Sequence, residues 1–234
     1  MSQLVALKQN TVAMKAIMAL SGMILLGYSI AHLFGNLQLY VGPEAINAYA
    51  AWLHAHKPLL WGTRVFLLFA FSAHIVSALK LWTLSRRARP VAYHHKEYLA
   101  TSYAARTMRW GGLILLLFVL YHLAHLTFGK TAGAYRFEPG NVYNNVVYGF
   151  QIWWIAAIYI LGNLALGLHL YHGAWSFLQT LGINHPRYNQ WRRFAASTLA
   201  AFIVAGNISF PLMVLAGVVQ PADSSDVSSV SSNP

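Results

Sequence analysis

Four histidines stand inside four different long apolar stretches of this sequence: His32, His74, one of His122 and His125, and one of His169 and His172. An imidazole is costly to keep in hydrocarbon, so an intramembrane ionisable group is read first as functional. No Asp or Glu falls in these stretches, and the chain has no cysteine. Thiolate and carboxylate zinc sites, cysteine-ligated iron–sulfur clusters, disulfides and covalently attached c-type haem are therefore set aside, and any redox chemistry is left to histidine ligands or a diffusible cofactor. Four histidines on successive helices suggest two pairs. Two pairs of neutral imidazoles facing across a bundle are what two stacked bis-histidine haems require. The plainer reading of any one of these histidines is a hydrogen bond to a neighbouring helix or a place in a polar cavity. A set with at least one member on each of four consecutive helices favours the cofactor. His54, His56, His94, His95 and His185 fall in polar connections and read as interfacial.

Such histidines need long apolar elements to hold them. Hydrophobic residues make up 57% of the 234 residues, charged residues 9%, and the mean hydropathy is +0.47. That leaves too little polar surface to coat a soluble globule, so the composition specifies an integral membrane protein. A helix needs about 20 apolar residues to cross the roughly 30 Å hydrocarbon layer. The apolar stretches have that length rather than the alternating, roughly ten-residue pattern of an outer-membrane barrel. The expected fold is an all-α membrane domain of five transmembrane helices, at about residues 16–37, 64–84, 110–128, 146–178 and 194–219, the first four forming the bundle around the histidines.

Ser21, Gly22, Gly27, Ser29 and Gly35 are small residues on the first span that let a helix or a flat macrocycle approach its backbone. Residues 38–60 and 129–145 read as loops, the first anchored by Tyr49, Trp52 and Trp61. The run Arg86-Arg87-Ala88-Arg89-Pro90 is expected to stop the second helix. The fourth span is too long for a vertical crossing and is expected to extend beyond the bilayer. Asn207 and Pro211 are expected to interrupt the fifth, and the Ser-rich, acidic residues 220–234 to form a disordered tail. The first fifteen residues read as a short amphipathic lead. Lys8 and Lys15 precede a full-length span with no small-residue cleavage site close behind it, so this segment is expected to be retained.

A formal charge of +11 would suit nucleic acid on a soluble domain. Here the basic residues lie between apolar spans, so topology accounts for them and no nucleic-acid partner is expected. Lys8, Lys15, Lys80, Arg86, Arg87, Arg89, Lys96, Arg106, Arg109, Arg187, Arg192 and Arg193 fall on one side. Lys57, Arg64, Lys130 and Arg136 fall on the other, with Glu44, Glu138, Asp223 and Asp226. The positive-inside rule puts the N-terminus in the cytoplasm and the C-terminus outside. At 1.5 Å per residue, His32 lies roughly 24 Å and His122 about 17 Å from the cytoplasmic start of their spans, while His74 and His169 lie about 15 Å and about 14 Å above the cytoplasmic ends of theirs. Depth thus pairs His32 with a third-span histidine nearer the outside, and His74 with His169 nearer the cytoplasm. By depth alone His125 matches His32 better than His122 does, a difference that helix tilts of about 20° blur.

Several stretches occur in order with one histidine site per helix: Ser29-Ile30-Ala31-His32-Leu33-Phe34-Gly35-Asn36; Arg64 through His74; Arg89-Pro90 with Tyr93; Ala105-Arg106-Thr107-Met108-Arg109-Trp110 leading to Tyr121-His122-Leu123; and Leu168-His169-Leu170-Tyr171-His172-Gly173-Ala174-Trp175-Ser176 with Gln179-Thr180-Leu181-Gly182. Together they resemble the cytochrome b membrane anchor of succinate dehydrogenase and fumarate reductase, in its single-chain, five-helix, dihaem form. The resemblance covers the chain up to about Val219. It implies two haem b groups with axial ligands His32 and His122 at the outer site and His74 and His169 at the inner one, helix five supplying none. His125 and His172 are then extra histidines that line a haem edge or a quinone pocket. Arg64 on the outer side, and Lys80, Arg106 or Arg109 on the inner side, would neutralise haem propionates. The resemblance further implies a flavoprotein (FAD) subunit and an iron–sulfur subunit on the cytoplasmic face of a bacterial-type inner membrane. It also implies a quinone substrate, menaquinone or another, near the outer haem, pointing to Glu44, His54 and His56.

Three rivals are distinguishable. A cytochrome b subunit of a formate dehydrogenase or hydrogenase would differ in its soluble partners. A haem-free transporter using the histidines as a proton relay would be colourless, and would be expected to show inverted repeats or acidic intramembrane residues. A purely structural anchor would have no use for four ligands.

Overall fold

A computed structural model describes residues 11–88, 103–130 and 134–222. The described chain is all helical, and five of its helices are long and apolar enough to cross a membrane: Thr11–Val41, Lys57–Arg87, Ala105–Thr127, Trp153–Thr180 and Pro186–Leu215. The protein is a multi-pass membrane protein. Lys8, Arg89, Pro90, Tyr93, His94, His95, Lys96, Asp223, Asp226 and most of the expected tail lie outside the described residues.

In chain order the helices are α1 (Thr11–Asn36), α2 (Gln38–Val41), α3 (Pro43–Ala55), α4 (Lys57–Arg87), α5 (Tyr103–His122, continued by a π-helical turn Leu123–Thr127), α6 (Val142–Gln151), α7 (Trp153–Thr180) and α8 (Pro186–Leu215). The expected loop at 38–60 is thus mostly helix. Gly42 adopts φ 137°, a conformation open to glycine, and Pro43 follows at the first turn of α3, where its missing N–H costs nothing. Helix α3 buries Ile46 and packs against α2, α6, α4 and α1.

The overlong fourth span resolves into two helices. Ile152 is extended, with φ −86° and ψ 107°, and separates α6 from α7. Asn141 caps α6 by accepting from Asn144 N–H at 3.2 Å. Helix α8 starts earlier than expected, at Pro186, where the His185 ring accepts from Arg187 N–H at 3.2 Å. It then runs unbroken through Asn207 and Pro211. Asn207 disposes of its amide within the helix, donating to Ile203 O at 3.0 Å, so it does not interrupt the turn.

Close packing joins α7 to α8, α1 to α4, α5 to α7 and α1 to α7. Glycines set the approach where these helices touch: a methyl group on Gly206 of α8 would lie 2.8 Å from Leu33 Cδ1 of α1. Leu33, Ile155 and Ile203 form the centre of the buried cluster there.

One end of the bundle carries α3, α6 and residues 216–222, and is called the capped end here; the other, with Arg86, Arg109, Arg192 and Arg193, is the basic end. The cap is joined by side-chain amides. Asn47 Oδ1 accepts from Tyr143 N–H at 3.0 Å, the Tyr143 hydroxyl donates to Gln220 O at 3.0 Å, and Asn144 pairs with Ala222 twice, at 3.1 and 2.9 Å. Burial raises the Tyr143 hydroxyl above the ordinary tyrosine range.

Candidate histidine site

The four histidines form two facing pairs. His32 of α1 meets His122 of α5 with ring centres 5.8 Å apart and planes at 90°, and His74 of α4 meets His169 of α7 at 6.0 Å and 64°. Neither α1 with α5 nor α4 with α7 is among the closely packed helix pairs of the described residues. In both couples the imidazoles therefore reach across a gap between backbones rather than sit in a helix contact. Among the described residues no three His, Asp or Glu side chains cluster, so the geometry offers two-ligand sites.

Each ring is held by its surroundings. His32 stacks on Tyr28 one turn earlier, at 5.5 Å and 15°. His122 is flanked by Phe118 and Tyr159, with ring centres 6.2 and 5.8 Å away. His74 Nδ1 lies 3.1 Å from Met18 O and 3.3 Å from Ser21 Oγ. A carbonyl oxygen only accepts, so Nδ1–H donates to Met18, and Nε2 is left with its lone pair free for a metal. Gly22 lies under the same ring: a methyl group there would stand 3.2 Å from His74 Cε1. His169 Nδ1 and His172 Nδ1 are buried without a hydrogen-bond partner, which is rare for a polar atom in an apolar interior.

An imidazole nitrogen sits about 2 Å from the metal it binds and its ring centre about 1 Å further back, so two axial imidazoles on one iron hold their ring centres about 6 Å apart. Both pairs have the spacing that a bis-histidine haem requires, and the donor set is chemically suited to it.

His125 is placed differently from His122. The π-helical turn Leu123–Thr127, marked by Phe128 N–H bonding Leu123 O at 3.0 Å, carries His125 away from the gap that His122 faces. It is fully buried against Gly149, its Nδ1 is 2.9 Å from the Tyr159 hydroxyl, and its Nε2 has no hydrogen-bond partner. Tyr159 thus touches both histidines of α5. Nothing in the spacing of His122 and His125 announced the turn.

The remaining candidates are exposed. Arg64 is exposed with its guanidinium 5.1 Å from the Trp61 ring centre. Lys80 is exposed, Arg109 lies over Trp82 and Arg106 over Tyr103. Glu44, His54 and His56 are exposed on or beside α3. The two histidine rings are satisfied locally, each through Nδ1 at 2.8 Å, to Ala50 O and Trp52 O.

No family model, curated protein or solved structure matches this chain. The functional reading therefore rests on the residues and their geometry.

Proposed function

We propose that this chain is the dihaem cytochrome b anchor of a succinate:quinone oxidoreductase, carrying electrons between a soluble iron–sulfur subunit and a quinone in the membrane. The observation that carries the reading is the pairing of four histidines from four helices, at 5.8 and 6.0 Å, across helix pairs that do not otherwise pack closely. Haem b held between two imidazoles has no open iron position and passes single electrons.

The roles of the chain's own residues follow. His32 with His122, and His74 with His169, would hold the two haem irons. Met18 O fixes the His74 tautomer, and Gly22 leaves room for its ring. His125 is a structural neighbour, engaged with Tyr159. Arg64 at the capped end, and Lys80, Arg106 and Arg109 toward the basic end, are available to neutralise propionates. The basic end faces the cytoplasm, by the positive-inside rule, and receives the iron–sulfur and FAD subunits. Menaquinone or a related quinone reacts at the capped end, where Glu44, His54 and His56 are accessible.

A pyridine haemochrome assay with a reduced-minus-oxidised spectrum, on the purified chain and whatever accompanies it, tests this. Two haems b per chain are expected, one lost in His32→Ala and the other in His74→Ala. A colourless preparation would overturn the reading in favour of a haem-free transporter. Copurification with a formate dehydrogenase or hydrogenase in place of a succinate-oxidising flavoprotein would reassign the complex.

A further inference from the structure

We propose that the basic end of the bundle carries two sites for the phosphate of an anionic phospholipid, each built from a tryptophan and two arginines across an interhelical groove. The proposal uses none of the histidines, and Arg109 is the one residue it shares with the cytochrome reading. Trp82 of α4 has the Arg86 guanidinium 5.7 Å from its ring centre and that of Arg109, from α5, 5.8 Å away. Trp175 of α7 has Arg192 at 5.5 Å and Arg193 at 4.6 Å, both from α8. The same grouping is thus built twice at one end of the molecule, from residues unrelated in sequence position.

Bringing two guanidinium groups to one ring concentrates like charge, which is unfavourable unless an anion is shared between them. Among the described residues no carboxylate supplies it, since Glu44 and Glu138 both lie toward the capped end. Arg192 makes the need plainest. It is buried at 8% exposure, and its Nη groups donate to Ile183 O, Asn184 Oδ1 and Asn189 Oδ1, all neutral acceptors. Its Nε is buried with no hydrogen-bond partner. A buried charge is ordinarily paired.

A lipid phosphate is the anion the position selects. Tryptophan rings settle at headgroup depth, guanidinium binds phosphate oxygens through its planar fork, and basic pockets between membrane helices on the positive side suit anionic headgroups. Arg86, Arg109 and Arg193 are exposed at the grooves, open to such a headgroup.

Native mass spectrometry of the full chain in detergent, titrated separately with phosphatidylglycerol and phosphatidylcholine, tests the proposal. Two phosphatidylglycerol molecules are expected to bind, each about fivefold or more tighter than phosphatidylcholine. Arg109→Gln and Arg193→Gln should each weaken one of them by about fivefold, and the double variant both. These exposed positions are chosen because Arg192→Gln endangers folding, and far-UV circular dichroism should be unchanged in them. Equal binding of the two lipids, or an undiminished preference in the double variant, would overturn the proposal. Complete competition by millimolar inorganic phosphate would assign the sites to a free anion instead. Loss of haem from Arg109→Gln or Arg193→Gln with lipid binding intact would overturn the proposal for that site and assign the guanidinium to a propionate.

Discussion

At the scale of single residues, the His74 ring shows how much of a side chain's chemistry is set by atoms of another helix. Its Nδ1–H is committed to Met18 O, a backbone group of another helix, so orientation and tautomer are both imposed from outside α4. Gly22 completes the arrangement by having no side chain. A methyl group at Gly22 would already stand 3.2 Å from Cε1 and 3.4 Å from Nδ1, and the branched side chain of Gly22→Val would push into the ring. On the proposed dihaem reading the expected result is loss of about half the haem absorbance, with far-UV circular dichroism unchanged. Full haem content in Gly22→Val would mean that His74 does not need its present position.

At the scale of elements, the π-helical turn after His122 separates two histidines that an uninterrupted α-helix would keep on one face, since residues three apart are neighbours there. His122 stays toward His32, and His125 goes to Tyr159 and Gly149. Tyr159→Phe tests this division of labour. It leaves His125 Nδ1 buried without a partner, which costs about 1–3 kcal/mol. It should lower the unfolding midpoint followed by circular dichroism while both haems remain. Loss of one haem would make Tyr159 or His125 part of the ligand arrangement. The break at Ile152 is a second decision made at this scale. It turns a hydrophobic run too long for one crossing into a short cap helix and a transmembrane helix.

At the scale of the whole molecule, α3, α6 and residues 216–222 close one end of the bundle through hydrogen bonds between distant parts of the chain. Asn144→Ala removes both bonds to Ala222, and the exposed remainder should cost about 1–3 kcal/mol. Faster cleavage after the fifth helix in limited proteolysis is the expected sign. The cap also has a pH signature. The Tyr143 hydroxyl is held above the ordinary tyrosine range by burial, so its contribution is complete below the unfolded value of about 10. It is lost only as pH rises through the higher folded value. Alkaline loosening of the cap should therefore weaken in Tyr143→Phe, whereas the acid limb should not change. Orientation is open to direct test because the chain has no cysteine. In right-side-out vesicles, a membrane-impermeant maleimide should label Lys57→Cys and leave Arg187→Cys unlabelled; the reverse pattern would invert the proposed topology.

The sequence by itself determined that this is an all-helical membrane protein with five spans, because apolar length and the scarcity of charge are properties of composition and run length, independent of how helices meet. Depth along a helix is also linear in residue number, and so the couples His32 with a third-span histidine and His74 with His169 were legible before any packing was known. Where the spans begin and end was less legible. Helices α3 and α6 and the early start of α8 depend on caps and on neighbours that cover polar ends, so residues 38–60 looked like a loop and 146–178 like one rod. The choice between His122 and His125 was not available to a periodic reading, since one π-turn overrides the spacing. The Met18 carbonyl and the Gly22 clearance at His74, the approach of Arg109 to Trp82 and that of Arg192 and Arg193 to Trp175 belong wholly to the tertiary structure: each joins residues from different helices, and only the packing of those helices brings them within reach.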